Sequence, residues 1–341
     1  MTSLAQLGAA LPVVAAPLAG GAGTTDLVVA AGRAGALGFL GAGYQAPAAL
    51  AADLATVAAA GVPFGVNLFA PNPTPVDPAA YAAYAALLAP EAARFEVALP
   101  PTPSDDDDAW QAKVDQLVAH PVPLVSFTFG LPPARDLARL RRTGALLAQT
   151  VTTPLEARAA ASAGVDALVV QAAAAGGHSG TFTPDRPVRP VPLPDLVAAV
   201  RAEVALPLIA AGGVGTATDV AAALSAGATL VAVGTALLRS DEAGTTATHR
   251  AALADPTRTT TVVTRSFTGR PARGLRNTFI DRYDAAAPSG YPALHHLTRP
   301  IRRAAAANGD PERLHLWAGT GYRHTREAPA ATILTGLSAD A

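Results

Sequence analysis

The sequence predicts an α/β fold, a (β/α)8 TIM barrel, on three observations. Eight short apolar runs lie at residues 13–16, 36–40, 64–69, 124–127, 146–151, 167–171, 208–211 and 230–233, and eight strands close such a barrel. Their near-continuous apolar character fits strands buried on both faces, as in a parallel sheet. Ala-rich helical stretches, set off by Gly-containing turns, complete the alternating βα rhythm.

Taken in order, strand one leads to a helix at 24–32 and strand two to one at 47–60. Helices at 132–142, 154–163, 192–204 and 216–226 follow strands four to seven. Several open on Pro or Thr and stop at Ala-Gly, the chemistry of a first-turn proline and a glycine just past the last turn. Two stretches break the rhythm. Residues 71–115 form an excursion between strands three and four, rich in Pro and Asp, with a helical segment at 79–88 carrying Tyr81 and Tyr84. Beyond residue 238 the βα pattern stops. The expected organisation is a ligand-binding barrel over 1–238, a mostly helical cap over 239–299, and a segment over 300–341 that returns to pack on the barrel.

Composition removes several function classes. A formal charge of −1 leaves no basic footprint for nucleic acid or an acidic membrane. No apolar run is long enough to span a bilayer and no basic segment precedes one at the N-terminus, so a cytoplasmic location is expected. The chain has no cysteine, which excludes disulfides, thiolate metal sites and cysteine nucleophiles. Its single lysine, Lys113, lies between Gln111 and Asp115 after the acidic run 105–108 and is expected to be solvated, which disfavours Schiff-base chemistry. The seven histidines contain no H-x-x-x-H or H-E-x-x-H pair, so no metal site is expected.

Barrel enzymes place their chemistry on the loops after the C-terminal ends of the strands. After strand one, Pro17 fixes the backbone, and the small residues around Leu18 let a planar ligand approach main-chain groups. Asn67 stands inside the apolar third strand, where a carboxamide needs a partner. Gln171 ends strand six with both a donor and an acceptor, suited to a heterocycle edge. The stretch Gly176-Gly177-His178-Ser179-Gly180 follows. Its glycines permit close backbone approach, and His178 offers an imidazole that ordinarily titrates near neutrality, as an acid–base catalyst should. Gly212 and Gly213 follow strand seven; Val233, Gly234 and Thr235 follow strand eight. Loops seven and eight are the usual phosphate site of barrels, with N–H groups of Gly213, Gly234 and Thr235 as donors. A barrel, a phosphate and a heterocycle suggest FMN; phosphorylated sugars and pyridoxal phosphate share the pattern, and the lysine usage argues against the last.

The motifs APLAGGAG, PFGVNLFAP, VSFTFGLP, VVQAAAAGGHSGTF, PLIAAGGVGTATD, VAVGTALL, SFTGRPARGLRN and LWAGTGY together resemble the nitronate monooxygenase family, bacterial class. They run in family order from about Val13 to Tyr322. The resemblance implies FMN as cofactor, with Asn67 and Gln171 against the flavin ring and ribityl chain. It implies Gly176, Gly213, Ala232, Val233, Gly234 and Thr235 as phosphate and backbone contacts. Pro17 and Leu18 match the segment near the reactive flavin nitrogen, and His178 matches the active-site histidine, as a base or a hydrogen-bonding group. Tyr291 resembles a substrate-side motif, and Thr128 is placed on the substrate side where some relatives carry a histidine. The implied reaction oxidises a small nitronate, propionate 3-nitronate among the possibilities, with O2 to a carbonyl compound and nitrite through a flavin semiquinone. The implied partners are the nitronate and O2 only, in a monomer or homodimer. Three alternatives share the scaffold: an NADH-dependent quinone or enoyl-acyl-carrier reductase, a flavin-binding barrel without turnover, and a non-redox phosphosugar isomerase.

Overall fold

The computed structural model describes residues 7–339. Eight parallel strands close a barrel: β1 (Val13–Ala15), β2 (Leu37–Gly41), β3 (Phe64–Phe69), β4 (Leu124–Thr128), β5 (Leu146–Val151), β6 (Ala167–Gln171), β8 (Leu208–Ala211) and β9 (Leu230–Val233). The barrel shuts where β9 pairs with β1, Val14 opposite Ala232. Each strand lies within a residue or so of its apolar run, because continuous apolarity is what burial on both faces demands. Inward residues Val14, Leu37, Phe39, Leu124, Leu146, Ile209 and Leu230 fill the interior. Outward residues such as Val13, Val170 and Val231 meet the helices.

The helices between strands are α1 (Thr25–Arg33), α2 (Pro47–Ala59), α5 (Trp110–Ala119), α6 (Ala134–Arg141), α7 (Pro154–Ser162), α8 (Leu193–Arg201) and α9 (Ala217–Ser225). Thr24, Thr153 and Thr216 cap α1, α7 and α9 through their hydroxyls, and Asp219 completes a capping box with Thr216. The sequence reading missed α5, which begins inside the excursion. Its Trp110, Val114 and Leu117 pack against Val125 and Phe127 in the outer layer of the barrel.

The C-terminal helix α13 (Ala330–Leu337) returns to the barrel, as expected. It packs against α1 and α9, burying Ala330, Ile333, Leu334 and Leu337. That is the eighth helix position of the barrel. Everything between β9 and α13 is therefore an insertion over the strand C-termini, built on α10 (Ala247–Ala254), α11 (Thr278–Tyr283) and α12 (Ala293–Ala307). The helical expectation for this stretch omitted an antiparallel hairpin, β10 (Thr261–Thr264) with β11 (Ala272–Leu275). The excursion contributes α3 (Pro78–Leu87) and α4 (Ala89–Arg94) to the same layer. Tyr81, Tyr84 and Leu88 share one buried cluster with Phe267, Phe279, Leu294, Leu297 and Ile301. The Tyr84 hydroxyl donates to the Ser266 carbonyl at 2.6 Å. Two segments far apart in sequence thus form one roof.

Candidate active site

Under that roof lies a cavity of about 300 Å³, the lower end of the range for small-molecule sites. Pro17, Leu18, Asn67, Thr128, Gln171, Gly176, Gly177, His178, Gly212, Gly213, Ala232, Gly234 and Thr235 all line it. Val233 and Tyr291 do not. Val233 is fully buried between barrel and helices, and its carbonyl accepts from Ala16. The Tyr291 ring stands one layer back, 5.7 Å from that of His178.

One end of the cavity is made of turns. Gly212 and Gly213 hold φ of 110° and 82°, backbone that a residue with a Cβ rarely adopts. The N–H groups of Gly213, Gly234 and Thr235 find no acceptor among the described residues. Three turns meet on residues 319–321. A Cβ on Gly176 would stand 2.6 Å from the Gly319 nitrogen, one on Gly213 3.2 Å from Thr320 Oγ1. Gly319 itself donates to the Thr235 hydroxyl at 2.9 Å. Unpaired peptide donors held in such a nest form an anion site, and a phosphate monoester satisfies them. The residues present fit the phosphate of FMN.

The middle of the cavity is polar. Asn67, which is buried, sits opposite Ser126 across β3 and β4. Its amide donates to Ser126 Oγ at 2.9 Å and Thr128 Oγ1 at 3.0 Å, so both donors are spent, and its carbonyl oxygen has no donor among the described residues. Gln171 braces the histidine turn: its Nε2 donates to the His178 carbonyl and its Oε1 accepts from Gly180. One N–H and one lone pair remain for a ligand.

The other end is aromatic. His178 is not on a free loop; with Gly177 it forms a two-residue strand, β7, paired to β11. Its Nε2 lies 2.9 Å from Thr268 Oγ1, leaving Nδ1 without a partner among the described residues. The rings of Phe129, Tyr291 and Trp317 stand 5.6–5.7 Å from it. Near-neutral titration, expected from the residue type, does not hold here. Burial, with Arg270 and then Arg302 nearby, brings the imidazole down to about 3, so it is uncharged at physiological pH. Both guanidiniums are buried, and no carboxylate lies within 4.0 Å of either among the described residues. Arg270 lies 4.1 Å over the Phe129 ring and donates to the carbonyls of Ser179 and Thr181. Arg302 donates to the Thr298 hydroxyl, the His295 carbonyl and the ring nitrogens of His295 and His315.

Sequence reasoning missed Tyr44, Phe69, His249, His315 and Trp317 on the cavity wall. Three of them come from the inserted roof, where no strand-end rule points. Tyr44 was legible as the fourth residue past its apolar run. Lys113 requires a correction. It is not solvated but 1 % exposed, bonded to the Ala42 carbonyl at 2.8 Å and paired with Asp108 at 2.7 Å. An acidic run beside an exposed-looking helix start conceals a pair folded inward. No group of three or more His, Asp or Glu side chains able to hold a metal occurs among the described residues, nor any helix long and apolar enough to cross a membrane.

A TIM barrel whose strand ends carry one cavity, with glycine turns at one end and an aromatic, cation-bordered chamber at the other, has the layout of a barrel enzyme site. Residues 2–340 match the nitronate monooxygenase family model. A probable nitronate monooxygenase of Staphylococcus aureus strain Newman is 33 % identical, the alignment covering 96 % of this chain and 93 % of that protein. Its counterpart in Staphylococcus saprophyticus is 32 % identical over 96 % and 93 %. The solved nitroalkane oxidase of Streptomyces ansochromogenes is 43 % identical with a TM-score of 0.92, covering 98 % of this chain and 96 % of that one. FabK of Thermotoga maritima, 24 % identical with a TM-score of 0.75 over 100 % of this chain and 96 % of its own, shares the fold. The chain belongs to the nitronate monooxygenase family and is an oxidoreductase of that family.

Proposed function

We propose that this protein uses FMN and O2 to oxidise small alkyl nitronates to a carbonyl compound and nitrite. The observation that carries the reading is one cavity with two unlike ends. Three unpaired peptide donors and Thr235 stand at one end, and uncharged His178 with two carboxylate-free guanidiniums behind it stands at the other. The turns would hold the FMN phosphate and Asn67 would accept from the ring. Bound FMN supplies the single-electron redox chemistry that joins a closed-shell anion to O2.

The chain's own residues act on the substrate. Phe69, Phe129 and Trp317 exclude water, which strengthens every charge interaction inside. Arg270 and Arg302 bias the chamber toward an anion. An imidazole held to about 3 is a weak proton acceptor; it suits a hydrogen bond to a substrate that arrives already ionised better than removal of a proton from a neutral nitroalkane. His178 Nδ1 is the ring atom free to make that bond, as a donor in the neutral tautomer whose Nε2 accepts the Thr268 hydroxyl hydrogen in place of the Arg270 carbonyl.

The test is anaerobic mixing of the purified protein with propyl-2-nitronate or propionate 3-nitronate, followed by flavin absorbance, with NADH as the control. Spectral change with nitronate and none with NADH is expected, and denaturation should release FMN. A colourless protein that ignores added flavin overturns the reading, as does one reduced by NADH and indifferent to nitronates.

A further inference from the structure

We propose that Tyr44 is a substrate-binding residue whose phenolic hydrogen donates to a nitro oxygen of the bound nitronate, an inference that rests on the function proposed above. Tyr44 lies on the cavity wall in the aromatic half. Its ring meets Phe69 edge-on at 5.2 Å, Phe69 lies 4.5 Å from Phe129, and Phe129 lies 5.7 Å from His178. The phenol therefore borders the chamber that the histidine borders.

Hydrogen-bond direction singles out this hydroxyl. Tyr291 donates to the Tyr44 oxygen at 3.1 Å, which leaves the Tyr44 hydrogen to find another acceptor. None is provided by the described residues. Burial raises the phenol to about 12, so it stays protonated, a donor and never a competing anion, across the pH range in which enzymes work. A nitronate carries its charge on two oxygens, and a hydrogen bond from a neutral donor to a charged oxygen is among the stronger kinds.

The support around Tyr44 is otherwise unexplained. Its φ is 64°, left-handed backbone where glycine would be the unstrained choice. A bulky residue kept there indicates that the side chain is needed. Asp108 Oδ1 accepts the Tyr44 N–H at 2.8 Å, and Asp108 is held by Lys113, which also grips the carbonyl of Ala42. The only lysine in the chain, buried at a cost, is thus committed to this turn. On the far side the Tyr44 ring stacks on His295 at 4.1 Å and 2°, and Arg302 holds His295 in turn. Tyr44 is clamped from both sides, on the cavity wall, with its phenolic hydrogen uncommitted among the described residues.

The experiment is Tyr44→Phe, read by steady-state kinetics with propyl-2-nitronate and by anaerobic titration with propionate, a non-reacting planar anion, followed through the flavin spectrum. Losing one hydrogen bond to a charged oxygen should raise KM and the propionate Kd roughly 10–100-fold, with a much smaller change in kcat. FMN content and thermal midpoint should match wild type, which a merely structural role would not predict. Asp108→Asn should shift KM in the same direction by a smaller factor, and the double variant should be no worse than Tyr44→Phe alone, because both act through one hydroxyl. Unchanged KM and propionate Kd in Tyr44→Phe, or additive effects in the double variant, would overturn the inference. A wild-type protein inactive on nitronates would instead overturn the function beneath it, so the two failures are distinguishable.

Discussion

The peptide N–H of Gly319 donates to the hydroxyl of Thr235 at 2.9 Å across 84 residues of sequence. This bond ties the strand-eight turn to the segment that leads the chain back to the barrel. It makes the nest of glycine turns a product of both ends of the insertion. Because Thr235 Oγ1 accepts from Gly319, its own hydrogen is directed elsewhere, and a phosphate oxygen is the acceptor that fits.

Thr235→Val should therefore weaken FMN twice, by losing a donor to phosphate and by loosening Gly319. Gly213→Ala should do worse, since φ is 82° and the new Cβ would meet Ala174 Cβ at 2.9 Å. We expect the FMN Kd to rise roughly 10-fold for the valine variant, on the scale of one charge-assisted hydrogen bond. Fluorescence titration of apoprotein with FMN measures it, and unaltered affinity in both variants would remove the nest from phosphate binding.

Acid should destabilise this protein earlier than its charge suggests. His178 and His249 are held down to about 3 and about 4, and His295 and His315 well below their usual value, in every case chiefly by burial. The unfolded chain binds protons at these sites below about pH 6.5 while the native state does not. Stability tied to these groups is complete above pH 6.5 and is lost as pH falls toward 4. The slope approaches about 1.4 kcal/mol per pH unit for each such histidine. Thermal midpoints between pH 7.5 and 4.5 would show it, and a flat profile would contradict the burial of these rings. By the same reasoning, enzyme-side inflections in kcat/KM for a nitronate near pH 6.5 should be absent.

Much of the fold was readable because each barrel strand is apolar on both faces, a pattern that does not depend on its neighbours. The meeting of the glycine turns was readable because Gly212, Gly213 and Gly234 follow strands directly, and the barrel fixes which end they occupy. The roof was not. The hairpin that seats His178 pairs Gly177 with Arg273, and nothing local in a two-residue strand announces a partner nearly a hundred positions away. Lys113 was misread for the same reason. Its solvated appearance came from neighbours in sequence, whereas its environment is set by Ala42 and by the folding-in of Asp108.

Replacing Lys113 should expose the cost of that arrangement. Lys113→Met leaves the Asp108 carboxylate, 17 % exposed, facing an apolar side chain. Breaking a buried pair from one side typically costs about 3–5 kcal/mol, and solvent access at Asp108 places the expectation at about 3. Urea unfolding of Lys113→Met against the double variant with Asp108→Asn separates the stranded charge from lost packing. Recovery of a large part of the loss in the double variant is expected.

Arg302 should show the opposite balance between stability and function. It is 5 % exposed with no carboxylate within 4.0 Å among the described residues; four of its five donors are spent on Thr298, His295 and His315. Desolvation is the first cause lowering it, to about 10, which still leaves it charged at neutral pH. A buried cation of this kind is weak support for a fold, and apolar replacements are often neutral or stabilising. Its charge does act on the chamber, since it helps hold both His178 and His315 uncharged. Arg302→Met should thus keep or raise the thermal midpoint while KM for an anionic nitronate rises several-fold and the affinity for FMN changes little. It should also let the buried histidines take up protons at a higher pH, so that the loss of stability on acidification levels off sooner and is smaller in total. A variant that loses stability but keeps the wild-type KM would make Arg302 a packing residue and leave Arg270 as the charge that matters to the substrate.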